Sequence, residues 1–188
     1  MEIDLIDGHG LLFMKVGIHA RESLEDIILR KQKEYDEAGM IFWGYGGNTC
    51  HPTKHVQPFA KEFSQKGKEI VLVMQEINSN HFAEPKAAEA YSDDGFAWKP
   101  IPRGIEVRGS RYALILDELE LQAFDINMRD LNVAAGPSRG IVAAEYIQGR
   151  VDKGCFELNL GHTPEKKSDL CRISLCAKLI APYAVHLR

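Results

Sequence analysis

Lys68-Glu-Ile-Val-Leu-Val-Met-Gln-Glu-Ile77 has an unbroken apolar centre from Ile70 to Met74 between charged and amide residues. A run this short and this continuous reads as a strand buried on both faces, the kind found inside a sheet with helices laid against it. Everything N-terminal to it fits that architecture. Gln57 or Pro58 to Gln65 reads as a short helix with Pro58 in its first turn, where a missing N–H costs nothing, and Thr53 to Val56 reads as a turn. Met40 to Tyr45 reads as a second strand. Leu24, Ile27, Ile28, Lys31 and Tyr35 recur at helical spacing between a capping Ser23 with Asp26 and a terminating Gly39. Leu11 to Val16 reads as a first strand. The first 80 residues thus predict a β-α-β-α-β unit, whose crossovers favour parallel strands.

The second half is β-rich. Ser92-Asp93-Asp94-Gly95 is a turn sequence inside a hairpin over Ala90 to Trp98. Arg111–Leu116, Ile141–Ile147, Cys155–Leu160 and Cys171–Ile180 read as strands, with loops at Gly136–Gly140 and His162–Asp169. The fold class expected is α+β or mixed α/β, with the β-rich half joined to the core of the N-terminal unit. Residues 1–188 are expected to form one globular domain, with 1–80 and 81–188 as the only subdivision worth drawing.

Composition limits the function. A formal charge of −4 and a pI near 6.0 provide no global basic field, so duplex nucleic acid is not the expected partner. No stretch approaches about 18 consecutive apolar residues, and the N-terminus has neither a basic segment nor an apolar leader, so a soluble cytoplasmic protein without a membrane partner is expected. Cys50, Cys155, Cys171 and Cys176 include no Cys-x-x-Cys pair, and in that compartment are expected to be reduced. Nothing in the chain identifies a cofactor or an oligomeric state.

The residues that carry chemistry concentrate after the second strand, in Trp43-Gly-Tyr-Gly-Gly-Asn-Thr-Cys-His51. Gly44, Gly46 and Gly47 permit close ligand approach. With Asn48 and Thr49 they could cradle a phosphate or carboxylate, while Trp43 and Tyr45, sharing one side of a strand opposite Phe42, could stack on a planar ring. The segment matches neither Gly-x-x-x-x-Gly-Lys-Ser/Thr nor Gly-x-Gly-x-x-Gly. His51-Pro52-Thr53 lacks the second copy that a two-histidine phosphoesterase needs. If the first three strands were parallel neighbours, the loops after them would share one rim and bring together His19, Arg21, His51, Asn80 and His81. Arg111 and Arg139 are further candidates for gripping a phosphate.

The leading expectation is therefore binding of a small phosphorylated or nucleotide-like ligand, for sensing or sequestration. The alternatives are a hydrolase or transferase acting on a nucleotide or nucleoside derivative, with His51 or Cys50 as the reactive group assisted by His19 or His81, and a protein-interaction module without a small ligand. Zinc held by His19, His51, His81 and Glu76 or Glu84 would be chemically sound, but the chain contains no His-Glu-x-x-His segment, and no metal is expected.

Overall fold

The computed structural model describes residues 5, 7–19, 22–81, 86–149, 151–160 and 168–188. Strand β1 (Gly10–His19) leads to helix α1 (Leu24–Ala38) and strand β2 (Ile41–Tyr45). A π-helical turn (Pro52–Val56) runs directly into α2 (Gln57–Gln65), followed by β3 (Ile70–His81). The capping residues act as their chemistry dictates. Ser23 accepts the amide of Asp26 at 3.1 Å, and Gly39 closes α1 at φ 68°, a left-handed conformation open to glycine.

Beyond β3 come the hairpin strands β4 (Ala90–Ser92) and β5 (Lys99–Pro100), then the long β6 (Tyr112–Asn127). β7 (Leu131–Val133), helix α3 (Ala143–Tyr146), β8 (Lys153–Leu158) and β9 (Leu170–Leu187) complete the described chain. The strand expected over Ile141–Ile147 is in fact α3. Ala143, Ala144 and Glu145 are good helix formers, and this local preference prevails over the flanking β-branched residues. The loop expected at 162–169 lies largely outside the described residues.

One mixed sheet results, in the order β2-β6-β9-β3-β1-β8-β7, with the β4–β5 hairpin added beside β9. Strands from both halves of the chain interleave, because β6 and β9 sit between β2 and β3. β1 and β3 pair in parallel, whereas β2 pairs antiparallel with β6 at the edge. The expectation of three neighbouring parallel strands is corrected accordingly. The long strands β6 and β9 insert between β2 and β3, supplying more backbone hydrogen bonds than a direct β2–β3 ladder of five residues could.

One face of the sheet packs against α1, the π turn and α2 through Leu12, Trp43, Tyr45, Phe59, Phe63 and Leu72. The other face holds Leu11, Phe13, Val71, Val73 and Phe156, with a third cluster around Phe42, Ile115 and Val185. The alternation read from β2 is present: Trp43 and Tyr45 share one cluster and Phe42 enters another. Lys153 on β8 lies 5.4 Å over the Tyr45 ring, although five places separate their strands in the sheet order. The sheet therefore coils over its helical layer, and the segment after β2 crosses to β8.

α1 is fastened by a buried ion pair. Lys31 Nζ donates to both Glu34 oxygens at 2.8 and 2.9 Å, to Phe42 O at 2.7 Å and to Glu106 O at 2.8 Å. The amide of Glu106 donates back to Glu34 at 3.0 Å. Helix, edge strand and the 105–107 segment are thereby joined through polar groups that all find partners.

Candidate functional site

The site begins where β2 ends. Tyr45 is fully buried, and its hydroxyl donates to Cys50 O at 2.9 Å, so that residues 46–50 loop outward from a fixed base. Cys50 then takes φ 49°, in the left-handed region. The π turn follows, with the amides of His55 and Val56 both donating to His51 O, at 2.8 and 3.3 Å. Such turns are rare and concentrate at functional sites. Here the turn places His55 back over His51. The His51 amide donates to His55 Nδ1 at 3.1 Å, which makes Nδ1 an acceptor and leaves the ring proton of neutral His55 on Nε2.

His51 is half-buried. Its Nδ1 lies 3.3 Å from Thr53 Oγ1 and its Nε2 3.2 Å from the Tyr112 hydroxyl. Tyr112 stands between two imidazoles, with ring centroids 5.2 Å from His51 and 5.2 Å from His186. Burial, followed by the neighbouring charges of Lys54, His55 and His186, lowers the pKa of His51 and favours its neutral form. A neutral imidazole bonded to a phenol can accept or relay a proton. Tyr112 and His186 are register partners on β6 and β9. Strand pairing sets His186 beside Tyr112, which reaches His51, and no local sequence signal marks either residue.

The other end of the loop is anchored on β8. Thr49 Oγ1 donates to Asp152, whose second oxygen pairs with Lys153 at 2.6 Å. Burial opposes ionisation of Asp152, but Lys153 and Thr49 hold its carboxyl below the usual range. Cys50 Sγ lies 3.2 Å from Cys155 Sγ, with both thiols buried. The Cys155 hydrogen bond, against the cost of burial, lowers the Cys50 thiol, while burial pushes Cys155 well up.

The remaining expected residues divide sharply. Trp43 is 5% exposed and Tyr45 0%, so both rings belong to the core and present no open face for stacking. Gly44 and Gly47 serve packing: a β-carbon would lie 2.7 Å from Ser110 Oγ in the first and 2.8 Å from the Tyr112 ring in the second. Gly46 and Asn48 are exposed. Arg111 is exposed in the bend just before β6. Arg139 pairs with Glu62 at 3.0 Å at the surface.

His19 and His81 are backbone register partners at the ends of the parallel pair, as are Ile18 and Asn80. Arg21, Glu84 and the side chains of His19, Asn80 and His81 lie outside the described residues. Among the described residues, no group of three His, Cys, Asp or Glu side chains could hold a metal ion.

A groove of about 470 Å³ lies away from this loop, lined by Leu5, Phe124, Ile126, Leu158, Leu160 and Leu170 together with Asp125 and Asp130. Among its described lining residues no lysine or arginine appears, so a phosphate would meet carboxylates there. No described helix is long and apolar enough to cross a membrane. No protein-family model matches the chain, and no curated protein or solved structure matches it.

Proposed function

We propose that the rim made by residues 46–51, the π turn, Tyr112 and His186 binds a small phosphorylated or nucleotide-like molecule in the cytoplasm, for sensing or sequestration. The observation that carries this reading is the half-buried His51–Tyr112–His186 row, with hydroxyl and imidazole groups beside exposed Lys54. Imidazole N–H and hydroxyl groups can donate to phosphate oxygens, and Lys54 adds a positive charge at the mouth. The ligand's ring would pack on the exposed edge of the row rather than on Trp43 or Tyr45.

Native mass spectrometry of freshly purified protein, followed by titration calorimetry with nucleoside mono-, di- and triphosphates, tests the reading. One ligand per chain is expected, with affinity lowered roughly tenfold in Tyr112→Phe or His51→Ala through loss of a charge-assisted hydrogen bond. Wild-type protein that carries no ligand and gives no binding heat across the series would overturn it.

The His51–Tyr112 hydrogen bond also favours a second reading, in which the bound nucleotide derivative is hydrolysed or transferred with neutral His51 as general base. A His51→Ala variant that binds normally but no longer converts the ligand would select this over pure binding. Unchanged ligand recovered after prolonged incubation with wild-type protein would select binding.

A further inference from the structure

Cys50 and Cys155 are 105 residues apart in sequence, yet their sulfur atoms lie 3.2 Å apart. Both backbones are held. Cys155 pairs with Leu12 inside the sheet, and its carbonyl accepts the amide of Ala134 at 2.8 Å. Cys50 has its carbonyl bonded to Tyr45, and its neighbour Thr49 is bonded to Asp152, three residues before Cys155. A disulfide places its sulfurs about 2.05 Å apart, a little over 1 Å closer than these two stand.

Exposure differs between the pair. Cys50 is 9% exposed on a loop and Cys155 2% exposed on a strand, so a water-sized reagent meets Cys50 first. Lys153, one side of whose ammonium faces Tyr45, contributes positive charge to this corner, which favours a thiolate at Cys50. Cys171 and Cys176 lack this arrangement. Burial raises both thiols, that of Cys176 to about 11.

We propose that Cys50 and Cys155 form a hydroperoxide-responsive dithiol, with Cys50 as the reacting sulfur and Cys155 as the resolving one. The Cys50 thiolate attacks one peroxide oxygen, the O–O bond breaks, and the departing oxygen takes up a proton to leave as water or an alcohol. Cys50 is now a sulfenic acid. The Cys155 sulfur attacks it, the S–S bond forms, the S–O bond breaks, and the hydroxide leaves as water with the thiol's proton. Two thiols have lost two electrons and two protons, which the peroxide has gained. The product ties the loop after β2 covalently to β8. This dithiol is independent of whether the neighbouring rim binds a ligand.

The test uses reduced full-length protein exposed to equimolar hydrogen peroxide, capped with an alkylating agent and mapped by mass spectrometry without reduction. The expected product is a monomer lighter by about 2 Da before capping and two caps short of the reduced control after it, with a Cys50–Cys155 cross-linked peptide that dithiothreitol reverses. Cys155→Ser is expected to accumulate sulfenic acid at Cys50, trapped by dimedone. The wild-type map stands by itself if that variant fails to fold. Peroxide that leaves Cys50 unmodified, links Cys171 or Cys176 in its place, or joins separate chains would overturn the proposal.

Discussion

Replacing Lys31 by methionine isolates the bracket that holds α1 to the sheet edge. The stem volume is retained while the ammonium and its contacts with the Glu34 carboxylate, Phe42 O and Glu106 O are lost. Glu34, 2% exposed, keeps only the Glu106 amide and Arg30 at 3.3 Å. Removing one partner of a buried pair costs about 3–5 kcal/mol, which for a domain of this size lowers Tm by roughly 6–20 °C. Many buried pairs tolerate replacement of both charges by apolar residues. This one should not, because Phe42 O and the Glu106 amide would then lack their partners, at about 1–3 kcal/mol each. Lys31→Met with Glu34→Met is therefore expected to remain destabilised by about 2–6 kcal/mol. Urea unfolding of the wild type, both single variants and the double variant measures the cycle. A double variant as stable as wild type would refute the bracket argument. The pH dependence carries an independent sign. Burial, opposed by Glu34, lowers Lys31 to about 8 from 10.5. Between those values the unfolded chain keeps a proton that the folded chain has released, so this group's contribution to stability rises with pH there. Below the window the full cost of burying the ammonium applies, and Lys31→Met should lack the trend.

Gly154→Ala should destabilise by about 1–3 kcal/mol, since the new β-carbon would press into the fully buried Phe156 ring; an unchanged thermal midpoint would contradict that packing. Asp94 accepts from Ala97, Phe96 and Ser92, and these bonds lower its carboxyl from 3.8 to about 2. Its contribution to the hairpin is present above pH 3.8 and disappears as pH falls toward 2, so the difference in urea midpoint between wild type and Asp94→Ala should close over that range. Gly47→Ala should push Tyr112 from His51 and weaken ligand binding by roughly fivefold, about 1 kcal/mol for the hydrogen bond. Imidazole NMR signals of His51 that stay in place in this variant would show that the phenol has not moved.

Local preferences account for what was legible beforehand. Ser23 and Gly39 bound α1, Pro58 sits in the first turn of α2, and the apolar centre of β3 is buried, because capping, proline sterics and short-range periodicity act within a few residues. The second half of β6 was harder to read. Asp117-Glu-Leu-Glu-Leu-Gln122 sets four acidic or amide residues around two leucines, too few apolar residues to announce a buried strand, and Leu121 remains 65% exposed. β9 supplies the pairing that makes it one.

The sequence by itself determined the mixed α/β character, the alternation that separates Trp43 and Tyr45 from Phe42, and the concentration of reactive groups between Gly44 and His51. Tertiary structure decided which of those groups meet. Inserting β6 and β9 beside β2 removed the expected row of three parallel strands and exchanged stacking aromatics for core ones. It set Tyr112 between His51 and His186, and coiling of the sheet set Cys155 against Cys50. Strand order depends on hydrogen bonds between segments tens of residues apart, and no local propensity encodes that choice.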